Sequence, residues 1–150
     1  MADNKVLIKN KRAKFEYEFL ETFTAGVKLY GTEIKSIRNS KASIIEAYCI
    51  FVKDELIIRN MTINEYEKGG HYNHESRRDR KLLMNRSELD KLAKKLKNQG
   101  LTIVPTLLFI SDSGYAKINI ALAKGKKLHD KREDLKSKDA QRSMDRALKS

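Results

Sequence analysis

Six short runs of β-forming residues divide the middle of this chain, and they constrain its fold more than any other feature. The first run, from 15 to 19, alternates aromatic residues with glutamates, which is typical of a half-buried strand. Because antiparallel strands leave unpaired edges unless they close on themselves, we predict a mainly β fold: a closed, six-stranded antiparallel barrel of the Greek-key kind. The other five runs cover 27–30, 48–52, 56–61, 101–110 and 117–123.

Helical periodicity appears in only two places within the folded part. Residues 31–39 carry two isoleucines three positions apart, and Thr32 is a suitable N-cap. A longer helix is predicted from about Ser87 to Asn98, with Gly100 as its stop signal. We therefore expect two or three short helices, one of which plugs an end of the barrel.

Turn-forming residues predict where several strands end. Ala25-Gly26 predicts a turn, and Lys53-Asp54 predicts a two-residue hairpin connection. Asp112-Ser113-Gly114 predicts a three-residue turn with the glycine in the left-handed conformation. Pro105 has no backbone N–H to donate, so an edge or a bulge is expected there.

The chain is strongly basic, and most of the excess charge lies at its two ends. The formal net charge of the 150 residues is +12, of which residues 1–14 carry +4 and residues 124–150 carry +5. This distribution suits a polyanionic partner such as RNA, with a merely solubilising tail as the alternative. The sequence thus predicts a flexible basic arm at 1–14, a folded domain at 15–130 and a basic tail at 131–150.

The tail and the compartment follow from simpler observations. Ala140, Met144 and Leu148 recur every four residues, so we expect 131–150 to be disordered alone and helical on its partner. Cys49 is the single cysteine and cannot form an internal disulfide. With no signal peptide or membrane-spanning run recognisable, we predict a soluble, cytoplasmic monomer without membrane contact.

Residues suited to catalysis or to metal binding are sparse. The three histidines lack close cysteine or histidine neighbours at metal-ligand spacing, so no metal and no cofactor is predicted. We expect a protein that binds RNA without chemistry of its own. A ribonuclease that uses His74 or His129 with nearby lysines as acid and base is the alternative from another functional class.

Three regions are candidates for RNA contact. The loop at 64–80 mixes a tyrosine, histidines and arginines, which stack on unpaired bases, although a solvated loop is equally compatible with its composition. The second is Glu33 on the short helix, and the third is the flexible cationic strip at 125–132.

Five segments, in order along the chain, resemble the SsrA-binding protein (SmpB) family of bacteria. The resemblance implies an oligonucleotide-binding barrel that binds the tRNA-like part of transfer-messenger RNA (tmRNA) and brings it to stalled ribosomes for trans-translation. Another translation factor on the same barrel is the alternative within this class. The segments are GTEIKSIR (31–38), YNH (72–74), RKLLMN (80–85), LTIVP (101–105) and AKGKKLHDKR (123–132).

The resemblance also implies roles for particular residues. Thr24 stands where the family often has a glutamate that contacts RNA, so that role is not transferred. The implied RNA contacts are Leu83 and Asn85, with Glu33, Lys35, Lys124 and Lys126 near the same surface. The residues implied to reach the ribosomal decoding site are Gly125, Lys127, His129, Asp130, Lys131 and Arg132.

Overall fold

The predominance of strands that the sequence predicts is confirmed. The computed structural model describes residues 6–70, 73–97 and 100–126. The helices are α1 (Lys11–Glu16), α2 (Gly31–Arg38) and α3 (Arg86–Leu96). The strands are β1 (Leu7–Lys9), β2 (Tyr17–Val27), β3 (Ala42–Ser43), β4 (Tyr48–Val52), β5 (Glu55–Arg59), β6 (Thr62–Ile63), β7 (Arg80–Leu83), β8 (Leu101–Ile110) and β9 (Ala116–Gly125).

One large antiparallel sheet organises the fold. Its strand order is β1-β8-β4-β5-β7-β2-β9, with β9 pairing β8 as well, while β3 and β6 form a separate small sheet. The pairing is uneven, because β9 follows β2 and β8 along nearly its whole length whereas β4 meets β8 at one pair, Cys49 and Ile103. The strict six-stranded closed barrel predicted above is therefore corrected to a seven-stranded, unevenly paired sheet.

The physical reason for this correction lies partly in β2. The turn predicted at Ala25-Gly26 is wrong, since β2 runs through both residues without a break. Gly26 pairs with Leu83 on one side and with Lys117 on the other, and this double pairing holds the backbone extended. Of the strand expected at 27–30, only Val27 therefore belongs to a strand, the end of β2. β1 and β7 are too short to give a periodic signal in the sequence.

Several local predictions are confirmed by backbone geometry. Lys53 and Asp54 have φ of 49° and 64°, as a two-residue hairpin turn with two left-handed positions requires. Gly114 has φ of 90° in the turn between β8 and β9. The register between those strands shifts just after Pro105, which is the expected bulge.

The main core forms on one face of the sheet, and a smaller buried cluster of Ala13, Val104, Ala121 and Ala123 forms on the other face of β8 and β9. Ile118 and Ile120 on β9 are fully buried, and Leu122 is nearly so, because residues two apart in a strand lie on the same face. Leu92 of α3 and Ile37 of α2 are also fully buried in the main core. Both helices begin slightly earlier than predicted. The N-cap of α2 is Tyr30 rather than Thr32, and the N-cap of α3 is Asn85, two residues before Ser87.

The N-terminal segment differs from the predicted flexible arm. From residue 6 onward it forms β1, which pairs with β8, and then α1. Asn10 joins the two elements and is only 6% exposed. Its side chain donates to the carbonyls of Pro105 and Ile44 at 2.9 and 3.2 Å and accepts from the Ala13 backbone. The basic charge of residues 1–14 suggested a flexible arm. The buried Asn10 amide instead holds the segment from residue 6 onward against the sheet.

Replacing Asn10 with alanine is expected to destabilise the fold by about 2 kcal/mol, because the change removes a helix cap and leaves buried carbonyls without their donor. The free energy of unfolding from urea titration measures this loss. Exposed Asn64, changed to alanine, is the matched control. A loss for Asn10→Ala no larger than that of the control would show that the amide does not anchor the segment.

Within the ranges the structure describes, no helix is both long enough and apolar enough to cross a membrane.

Candidate nucleic-acid interface

The junction between β7 and α3 presents an apolar side chain and an amide to solvent. Leu83 ends β7 and is 49% exposed, while the neighbouring Met84 packs against the core. Asn85 is exposed and serves as the backbone N-cap of α3, with no capping hydrogen bond from its side chain. Both side chains predicted to contact RNA are therefore available to a partner.

The remaining predicted residues do not gather at this junction. Lys35 is exposed on α2, with its ammonium 5.5 Å from the centre of the Tyr66 ring. Lys124 is exposed on β9 and pairs with Glu18. That pair lies eight residues along β2 from Gly26, which places it roughly 26 Å from the Leu83 end of the strand.

The end of β9 therefore forms a second, separate basic region. Gly125 is exposed and is the last residue of the strand. Lys126 is half-buried, and its backbone N–H donates to the carbonyl of Glu16 at 2.9 Å. The residues predicted at the β7–α3 junction and those predicted at the end of β9 thus lie in separate regions of the sheet.

Glu33 is a correction to the predicted RNA surface. Its carboxylate is completely buried. One oxygen accepts from Arg78 at 2.6 Å and from the Tyr30 backbone N–H at 2.8 Å, and the other accepts from Arg80 at 2.5 Å. Because both oxygens are occupied inside the protein, Glu33 joins α2 to β7 and does not face a ligand.

Opposing effects set the charge of this carboxylate. Burial alone would raise the pKa of Glu33, but hydrogen bonds from Arg78, Tyr30 and Arg80 stabilise the charged form. The net result is a pKa below the usual glutamate range. Glu33 is therefore ionised whenever the protein is folded near neutral pH.

Arg80 is the buried partner of Glu33. Its side chain is fully buried, and burial lowers its pKa, while Glu33 opposes that shift. Arg80 also donates to the carbonyls of Met61 at 2.7 Å and Ser76 at 3.1 Å. The contacts of Arg80 with Glu33, Met61 and Ser76 thus hold the start of β7, which lies three residues before the exposed Leu83.

The long loop before β7 is organised by its own side chains more than expected. His74 is 4% exposed, and its two ring nitrogens lie 2.9 Å from Thr32 Oγ1 and from the Ile63 carbonyl. Asn73 accepts from the Tyr66 backbone N–H and donates to the Tyr66 carbonyl. A buried imidazole with both nitrogens engaged cannot reach a substrate, so the ribonuclease alternative loses His74.

Arg78 completes this loop. Its guanidinium lies 4.2 Å from the centre of the Tyr30 ring and also binds Glu33. Among the described residues of the loop, His74, Arg78 and Arg80 are thus engaged within the protein, and Tyr72 lies outside the described residues. Arg77 is one that remains exposed.

Comparison with known proteins identifies the family. The model of the SmpB protein family matches residues 7–150. The chain belongs to the SmpB family. A relative from Cytophaga hutchinsonii, named SsrA-binding protein, is 60% identical over 141 residues, covering 94% of this chain and 92% of its own length. Another SsrA-binding protein, from Phocaeicola vulgatus, is 57% identical over 149 residues and covers 99% of both chains.

Solved structures give the same relationship for this SmpB family member. One described as "tmRNA-SmpB: a journey to the center of the bacterial ribosome" superposes with a TM-score of 0.69 at 42% identity. The match covers 82% of this chain and 86% of the other. The resemblance stated from the five sequence segments is thereby confirmed.

Some predicted residues lie outside the described part of the chain. These are Lys127, His129, Asp130, Lys131 and Arg132, together with the tail at 131–150. Among the described residues, no group of three histidine, cysteine or acidic side chains is placed to hold a metal ion.

Sequence reasoning missed the outward face of β2 and β9. Thr24 Oγ1 lies 2.8 Å from Asn119 Oδ1 across the two strands, and Lys117 is exposed beside them. The signal was present, because Lys117 and Asn119 alternate with the buried Ile118 and Ile120. Only the pairing of β9 with β2 reveals that they lie near Leu83.

Proposed function

We propose that this chain is a non-enzymatic, cytoplasmic RNA-binding protein that binds the tRNA-like domain of tmRNA and delivers it to stalled ribosomes for trans-translation. The observation that carries the proposal is the 42% identity and shared fold with the SmpB of the tmRNA–SmpB structure. Trans-translation would free the ribosome and tag the unfinished peptide.

The β7–α3 junction supports this proposal as the principal RNA contact. Leu83 can pack against a sugar or base, and the adjacent Asn85 amide can donate and accept hydrogen bonds. The exposed lysines Lys35 and Lys124 supply positive charge for phosphates. The order of strand pairing is consistent with an oligonucleotide-binding fold, and that fold stays a prediction.

The direct test of the proposal is to sequence RNA that copurifies with tagged protein from its native cells. We expect tmRNA to be enriched over transfer RNA and ribosomal RNA. Enrichment of an unrelated RNA would favour another translation factor. Turnover of labelled RNA at catalytic protein concentration, abolished by His129→Ala, would favour the ribonuclease alternative and contradict the proposal.

Removal of residues 131–150 is expected to separate RNA binding from peptide tagging on the ribosome. The basic tail is proposed to act on the ribosome, so the truncated chain should bind the free tRNA-like domain within about twofold of the full chain. Peptide tagging on stalled ribosomes, measured in a reconstituted translation reaction, should fall to background. Tagging at the full rate by the truncated chain would contradict this division of roles.

A further inference from the structure

A cleft lies where α1 meets the loop before β4 and the first half of β8. Its volume is about 320 Å³, which is at the lower end of the usual size range of ligand pockets. The cleft is separate from the β7–α3 junction, because it contains Tyr17, the first residue of β2, whereas Leu83 pairs with Gly26 near the other end of that strand.

Several side chains that line the cleft are apolar or aromatic and remain accessible. Ile45 is 48% exposed and Tyr48 is 37% exposed, while Tyr17 is half-buried. Single exposed apolar residues scattered over a surface need no explanation, but several grouped around one cleft are typical of an interaction site. The cleft therefore offers apolar surface to aliphatic side chains of a partner.

The charge of the cleft is opposite to that of the whole chain. Its described lining contains two acids, Glu16 and Glu46, and one base, Arg12. Arg12 Nε donates to Glu16 Oε1 at 2.7 Å, and this hydrogen bond, together with the charges of Glu16 and Glu46, raises the pKa of Arg12. One guanidinium thus serves two carboxylates, in a chain whose formal net charge is +12. The net negative charge favours a basic, partly apolar partner over RNA.

The polypeptide leaves the described part of the chain beside this cleft. The backbone N–H of Lys126 donates to the carbonyl of Glu16 at 2.9 Å, and Gly125 pairs with Tyr17. Glu16 and Tyr17 both line the cleft. The basic tail therefore starts at the edge of the cleft.

The end of the tail has the composition that the cleft requires. Residues 140–150 carry three basic residues and one acid, opposite in net charge to the cleft. Met144 and Leu148 are four positions apart, so a helix would place them side by side. Methionine fits irregular apolar gaps and makes favourable contacts with aromatic rings, here Tyr17 and Tyr48. The basic residues are Arg142, Arg146 and Lys149, and the acid is Asp145.

The short connection makes even a weak contact significant. Residues 127–139 separate the edge of the cleft from this part of the tail, and a flexible chain of that length spans roughly 20 Å on average. Such a connection gives an effective concentration on the order of 1 mM. A contact with a Kd of about 0.1 mM would then form in about nine molecules of ten.

We propose that in the free chain the tail folds back onto its own domain, with Met144 and Leu148 seated in the cleft and the neighbouring basic side chains facing Glu16 and Glu46. The first partner on which the tail becomes helical is then this cleft. The contact needs no RNA, so it goes beyond the proposed function and is tested separately. Under the proposed function, docking withholds the basic residues of the tail from other RNAs until a ribosome competes for them.

A nitroxide spin label on the tail of the full chain tests the contact by NMR. Ser143→Cys supplies the attachment point, because Cys49 is only 3% exposed and burial raises the pKa of its thiol, which keeps it unreactive. The amide signals of Ala13 and Ala47, which line the cleft, should lose about half of their intensity or more. The amide signal of Leu83, at the far end of β2, should keep most of its intensity.

Because the connection alone keeps the tail near the cleft, substitutions decide whether the tail docks. Met144→Gln combined with Leu148→Gln removes the apolar contact and should weaken docking at least about tenfold, which restores much of the lost intensity. Glu46→Lys should weaken docking about fivefold. Glu67→Lys is the matched control and should leave docking unchanged, since Glu46 and Glu67 are both exposed but only Glu46 lines the cleft.

Signal loss at Ala13 and Ala47 that the double tail variant reverses, and that Glu46→Lys reduces more than Glu67→Lys does, supports the fold-back. The same loss with the double tail variant would overturn it, because proximity along the chain would then be the cause. Strongest loss at Leu83 would also overturn it, by placing the tail on another surface.

Two further measurements complete the test. Signal loss passed from a spin-labelled chain to a separate, isotope-enriched chain without a label would assign the cleft to a second copy and overturn the fold-back. Anisotropy with the tRNA-like domain is measured on the same proteins. Normal RNA binding without docking leaves the proposed function standing, whereas docking without RNA binding contradicts the proposed function alone.

Discussion

The double variant Leu83→Ala with Asn85→Ala is expected to bind the tRNA-like domain at least about a hundredfold more weakly than the unmodified chain. Both side chains are exposed at the β7–α3 junction. Hot-spot residues near the centre of an interface cost about 2 kcal/mol or more each when truncated, and about 2.7 kcal/mol corresponds to a hundredfold. Equilibrium anisotropy titration at fixed salt concentration measures the change.

The fold should survive this double substitution. Leu83 is half-exposed, and the Asn85 side chain makes no capping hydrogen bond, so neither change opens the core. The matched control replaces exposed Val52 and Asn64 with alanine and should bind normally. Unchanged affinity of the Leu83/Asn85 variant, with its circular dichroism intact, would remove this junction from the RNA site.

Glu33→Gln is expected to lower the free energy of unfolding by about 3–5 kcal/mol, the usual cost of removing one partner from a buried ion pair. Glutamine keeps the size of the side chain but leaves the buried Arg80 guanidinium without a counter-charge. Urea denaturation at neutral pH measures the loss. The control Glu21→Gln, whose partners Lys91 and Lys95 are solvent-accessible, should change stability little.

The stability difference between the unmodified chain and Glu33→Gln is also expected to depend on pH. Because the pKa of Glu33 is lower in the folded chain than in the unfolded chain, its contribution to stability is present above the unfolded value of about 4.3. That contribution is lost as the pH falls through the folded pKa. The stability difference between the unmodified chain and Glu33→Gln should therefore shrink with acid below about pH 4. A neutral-pH difference below ~1 kcal/mol would show that the buried pair does not hold α2 to β7.

Patterns local in sequence predicted much of the sheet. The hairpin at Lys53-Asp54 and the bulge after Pro105 each depend on the backbone properties of one or two residues, and both were recognisable. The continuous course of β2 through Gly26 was not, because it depends on β7 and β9 pairing from either side. Ala25-Gly26 has the composition of a turn, and only long-range hydrogen bonds make it a strand.

The site divides in a similar way. Leu83 and Asn85 were found through the family resemblance, and the structure adds that both are exposed. Glu33 was predicted near the RNA surface, but it is buried in an ion pair with Arg80, which is 47 residues away along the chain. Lys117 and Asn119 alternate visibly with core residues, but their nearness to Leu83 depends on strand order. The residue types of the candidate site were recognisable from the sequence, whereas long-range pairing decides which of those residues are exposed together.

Competition binding tests the central claim most directly. The full chain is titrated onto the labelled tRNA-like domain of tmRNA, and a duplex RNA of equal length and charge is then added as competitor. The account predicts that the duplex displaces the labelled RNA only at concentrations at least about a hundredfold higher than the unlabelled tRNA-like domain requires. Equal displacement by the two RNAs would contradict it, because binding would then depend on charge alone.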